Sequence, residues 1–119
     1  MKRLVLALVM VGLMSQSAFA YEGISGRMSS GRKTVTTAGT AERITSSAFS
    51  IQKIVITAET DNTGVIVVGD ANVVASLSTR QGIPLSAGQS ITLLLSDLSK
   101  VWLDTTVNGD GVTYLYFQQ

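Results

Sequence analysis

The chain has 119 residues, with nine Lys and Arg against eight Asp and Glu, a formal charge of +1, no cysteine and no histidine. That length suits one domain and is short for two. Without Cys or His there is no disulfide framework, no thiolate or imidazole metal site and no imidazole general base. A near-neutral charge gives no global reason to bind nucleic acid.

Residues 1–20 read as an address. Lys2 and Arg3 form a positive start, Leu4 to Met14 is an uncharged apolar run, and Ala18-Phe19-Ala20 supplies the small-x-small pattern of a signal peptidase site. The run is shorter than the ~20 residues a membrane-spanning helix needs. Cleavage near Ala20 is expected, the alternative being a retained apolar N-terminal helix. Without Lys2 and Arg3, seven basic residues face eight acidic ones, a charge of about −1. The mature domain is not expected to be embedded in a membrane.

Residues 21–40 are rich in Gly, Ser and Thr and hold Arg27, Arg32 and Lys33 with no acid after Glu22. Such a stretch has little apolar surface to bury and reads as a flexible arm. Its three cations are candidate partner contacts, suited to carboxylates or phosphates.

Residues 41–119 carry strand signals. Ala41 to Thr45 suits a short edge strand with Glu42 and Arg43 as charged gatekeepers. Phe49 to Thr60 is the strongest interior strand, with Ile54-Val55-Ile56 at its centre. Asp61-Asn62-Thr63-Gly64 is turn chemistry. Val65 to Val68 and a weaker Val73 to Leu77 follow. Ser78 to Gly88, holding Pro84, reads as a loop crossing between sheets. Gln89 to Leu95 is a further strand, and Ser96 to Ser99 a turn or a single helical turn. At the C-terminal end Val101 to Val107 and Val112 to Phe117 alternate about Asn108-Gly109-Asp110-Gly111, the composition of a tight hairpin. In that hairpin Val107 would oppose Val112, Thr105 Tyr114 and Leu103 Tyr116. Six to eight short strands with regular turn signals predict an all-β fold, an antiparallel β-sandwich or jelly roll.

Catalytic, cofactor and metal sites are not predicted. Asp61, Asp70, Asp97, Asp104 and Asp110 mostly lie beside Asn, Gly or Ser, where an Asp caps its own turn. A Ca²⁺ site built from Asp70, Asn72 or the Asn108–Asp110 turn lacks the spacing of a calcium loop. Serines have no G-x-S-x-G setting, and no glycine set forms a phosphate loop. Trp102, Tyr114, Tyr116 and Phe117 are read first as core and cross-strand packing. Their alternative use is a sugar-stacking platform, with Trp102 and Tyr114 as candidate contacts for a glycan.

Residues 54–117 resemble small bacteriophage virion β-sandwich proteins of the head-decoration, head-fibre and tail-associated kinds. The residues that carry the resemblance are Asn62-Thr63-Gly64, Val68-Gly69-Asp70, Gly82 with Leu85, Gly88 and Ser90, Asp97 to Asp104, and Asn108 to Leu115. The resemblance implies a small jelly roll with a structural, non-enzymatic role, self-associating and contacting other virion proteins. It leaves two settings for the N-terminus: a buried assembly segment in a virion, or export to the periplasm or medium. A secreted or cell-surface ligand-binding module is the alternative function.

Overall fold

The computed structural model describes residues 26–118; the expectations for residues 1–25, cleavage included, lie outside the described residues. Eight strands form among the described residues, β1 (Arg27–Thr34), β2 (Glu42–Arg43), β3 (Lys53–Ala58), β4 (Ile66–Gly69), β5 (Ile83–Leu85), β6 (Ser90–Leu94), β7 (Trp102–Thr105) and β8 (Gly111–Gln118). Two 3-10 turns, Leu77–Thr79 and Leu98–Lys100, are the helical content of the described residues. The fold is all-β.

The strands make two four-stranded antiparallel sheets, ordered β1-β8-β3-β6 and β2-β7-β4-β5. Of the consecutive strands, β4 and β5 alone share a sheet as neighbours; the other connections pass from one sheet to the other. Both sheets contribute to one core. Ile54, Ile56, Ala58 and Val112 come from the first sheet, Ile66, Val68, Leu85 and Leu103 from the second, and Val35, Ile44, Ile51, Leu98 and Val101 from the connections. On β3 the buried residues alternate with half-buried ones, the period of two that a strand with one core face requires.

Three expectations are corrected by the pairing. The C-terminal hairpin is absent: β7 pairs with β2 and β4, and β8 pairs with β1 and β3. Thr105 lies opposite Ile66, and Tyr114 opposite Gly31 and Ile56. The turn still forms, with Gly109 at φ +89°, but it carries the chain across the core. Alternation decides which face a side chain takes, and says nothing about which strand lies beside it.

The second correction concerns the arm. Arg27–Thr34 is an eight-residue strand paired along its length with β8. Main-chain hydrogen bonds hold such a strand without large apolar side chains, and here small ones are needed. Gly31 lies across from Tyr114 and Ser29 across from Tyr116. A Cβ on Gly31 would meet the Tyr114 ring, so the ring covers the bare backbone, as an aromatic does for a glycine in a sheet.

The third lies between residues 73 and 88. Val73 to Leu77 is no strand: Val74 makes a single bridge to Gln81, and the 3-10 turn follows. The expected crossing loop instead holds β5, which returns beside β4 with Pro84 on the sheet's outer edge, where a missing N–H costs no ladder bond.

Candidate functional site

The acidic residues are largely spent on the backbone of loops. Asp104 is 1% exposed. Its Oδ1 accepts from the N–H groups of Gly39 at 2.9 Å and Thr105 at 2.8 Å, and its Oδ2 from that of Ala75 at 2.8 Å. Asp110, 5% exposed, accepts from the N–H groups of Thr63 at 3.1 Å and Gly64 at 2.7 Å. Beside it Asn62 exchanges two 2.9 Å hydrogen bonds with the backbone of Gly111. Asp97 and Asp70 do cap their own turns, through the N–H groups of Ser99 and Asn72. Asp104 and Asp110 depart from that expectation, since each ties down segments distant in sequence.

These clips place the motifs of the resemblance. Asn62-Thr63-Gly64 meets Asp110-Gly111 through four hydrogen bonds. Asp97 starts the 3-10 turn that leads into β7, and Asp104 at the end of the same motif anchors two loops. Among the described residues no buried side-chain nitrogen or oxygen is without a partner, and no group of three or more acidic side chains is placed to hold a metal ion.

The three cations assigned to partner binding separate. Arg32 forms a fork with Glu59, its Nη2 donating to Oε2 at 3.0 Å. Lys33 Nζ lies 3.0 Å from Glu42 Oε1, joining the edge strand of one sheet to the edge strand of the other. Glu42 Oε2 also accepts from the N–H groups of Thr36 and Thr37. Burial opposes ionisation of Glu42, but Lys33 and these two N–H groups outweigh it and hold its carboxyl below the ordinary value. Arg27 is exposed and makes no ion pair among the described residues.

The aromatic pair also separates, Trp102 and Tyr114 lying in different sheets. Trp102 is on β7 and packs with Val67, Val73 and Ala75 in a second small core, with the Arg43 guanidinium 5.0 Å from its ring centroid. Tyr114 is on β8 in the other sheet, stacked 6.1 Å from Tyr116 and packed on the main core. An open cleft beside Trp102 is lined by Arg43, Asp70, Ser99 and Lys100.

Composition could not point to the outer face of the first sheet, because that face is assembled by register. Met28, Phe117, Lys53 and Leu94 form one cross-strand row, and Ser30, Leu115, Val55 and Thr92 the next. Lys53 Nζ sits 4.7 Å from the Phe117 ring centroid. Met28 is 63% and Leu94 81% exposed. The depressions on this face are shallow and open, one lined by Ser30, Val55, Thr113 and Leu115 and its neighbour by Arg32, Glu59 and Asp61.

No protein-family description, no curated protein and no solved structure matches this chain.

Proposed function

We propose that this chain is a non-enzymatic structural subunit, a decoration, cement or accessory protein of a phage particle that assembles through its strand edges. We read the strand order β1-β8-β3-β6 over β2-β7-β4-β5 as a jelly roll, an architecture common in viral capsid and lectin domains. Fold alone does not name a function. The observation that carries the proposal is how the polar groups are spent. Asp104, Asp110 and Asn62 hold backbone, and Arg32 and Lys33 hold Glu59 and Glu42. Chemistry is thereby committed to rigidity, while a sheet face of mixed character with Met28 and Leu94 exposed, and the strand edges beside them, stay open for contact. The resemblance over residues 54–117 supports the same reading, since three of its motif residues, Asn62, Asp104 and Asp110, are the clips.

The test is a mass spectrum of the native chain from density-gradient-purified particles and from cleared culture fluid. Presence in the particles is the expected result, and the mass reports whether residues 1–20 are kept. A chain found in the fluid alone and starting at Tyr21 would overturn the virion role in favour of a secreted binding module.

A further inference from the structure

The two sheets have four edge strands, and two, β2 and β5, are blunted in ways that natural sheets use against edge-to-edge pairing. β2 is two residues long and both are charged, Glu42 and Arg43. β5 is three residues long with Pro84 at its centre. β1 is a full-length edge whose Arg27, Arg32 and Lys33 oppose a like-charged neighbour and admit an uncharged one. β6 has none of these devices. Ser90–Leu94 holds no charge and no proline, and its pairing with the β3 segment runs on through Ser96 to Asp97.

We infer that the free edge of β6 is the docking edge for β1 of a second copy of this chain. This rests on the structural reading above and names the contact by which such a subunit meets its neighbour. Every neighbouring pair in the first sheet is antiparallel, so β1 and β6 run in opposite directions. A second copy's β1 placed beside β6 therefore continues the antiparallel sheet. Extending the row Met28–Phe117–Lys53–Leu94 straight across the contact gives the register. Continued into the next copy it sets Leu94 against Met28, covering the two most exposed outward apolar side chains of the sheet. The same register sets Thr92 against Ser30 and Ser90 against Arg32.

Charge complements that register. Arg27 would face Leu95, with Asp97 diagonal to it on the same side, within reach of a long side chain. Arg27 has no ion pair among the described residues, and Asp97 uses Oδ1 for both of its bonds from Ser99. Two β1 edges, by contrast, would bring like charges together. The contact is head-to-tail, so it closes into a ring or extends into a filament.

The native chain has no cysteine, so an introduced pair reports the contact without background. Directly opposed residues in an antiparallel pair sit about 4.5–5.5 Å apart at Cα, inside the range a disulfide spans. The experiment mixes Met28→Cys and Leu94→Cys variants, each produced from the full sequence, and oxidises them mildly. Covalent dimer from the mixture at least tenfold above either variant alone is expected, and adding Thr92→Pro to the Leu94→Cys chain should abolish it. Equal cross-linking by one variant alone overturns the inference, as does a mixture that stays monomeric or forms non-covalent oligomers without the disulfide. Circular dichroism of each variant confirms folding, and an unfolded variant is replaced by the adjacent pair Ser30→Cys and Thr92→Cys, to which the same outcomes apply. Particle association is scored separately: particles that carry the chain without the cross-link remove this contact and leave the decoration role, and the cross-link without particles does the reverse.

Discussion

Asp104 Oδ2 accepts a hydrogen bond from the Ala75 N–H at 2.8 Å, across 29 residues of sequence and inside a site that is 1% exposed. Its Oδ1 holds the Gly39 N–H on the opposite side. One carboxylate on β7 thus fixes the loop after β1 and the loop after β4. Water cannot replace these bonds at that depth, so the clip sets the mutual position of three segments.

Asp104→Asn should therefore destabilise despite its matching shape. An amide has one acceptor oxygen, and its NH₂ would be turned toward an N–H. Leaving a buried donor without an acceptor costs about 1–3 kcal/mol. Urea denaturation should show a lower midpoint with an unchanged slope. A variant as stable as the parent would mean that the loops are held by something else.

Gly31 and Tyr114 should be energetically coupled, because the ring occupies the space of the missing side chain. Gly31→Ala is expected to cost roughly 1–3 kcal/mol as an overpacking change. In a Tyr114→Leu background the same change should cost less, and the difference is read by a double-mutant cycle. Additive losses would place the strain elsewhere.

Acid should weaken the fold through Glu42 and Asp97. The hydroxyl and N–H of Ser99 hold the Asp97 carboxyl below its ordinary value, and Glu42 is held down as described. A carboxylate with a lowered folded pKa contributes its stability above the unfolded value, near 4, and loses it as pH falls through the folded value. Melting temperature should accordingly be flat above about pH 5 and fall below about pH 4. Glu42→Gln should be less stable at neutral pH and lose less on acidification.

Trp102 is expected to act as packing. Trp102→Ala should lower the melting temperature, by an amount approaching but below the ~3–5 kcal/mol of a fully buried aromatic, since the ring is half-buried. Arg43→Ala should cost less, about 0.5–1 kcal/mol for an exposed cation on a ring. Glycan binding lost on Trp102→Ala with stability intact would reverse this assignment.

Much of the architecture is legible from residue order. The β-branched centre Ile54-Val55-Ile56 marks an interior strand, and β3 is interior. Glu42 and Arg43 mark an edge, and β2 is one. The alternation of Leu103, Thr105, Val107, Val112, Tyr114 and Tyr116 assigns them to one face, and all but the exposed Val107 turn toward the core. What misled was composition: Gly and Ser made Arg27–Thr34 look unable to order, because its apolar cover comes from Tyr114 and Tyr116 on another strand.

Side-chain period, turn chemistry and charge are local properties, and they determined the all-β class, most strand positions and the absence of a recognisable catalytic motif. Partner choice is not local. Tertiary structure alone decided that β7 and β8 enter different sheets, that Asp104 and Asp110 hold distant loops, and that Met28 and Leu94 share a row at opposite free edges. A strand presents the same backbone groups to any neighbour, so pairing is settled by which arrangement buries both apolar faces at once, a property of the whole chain.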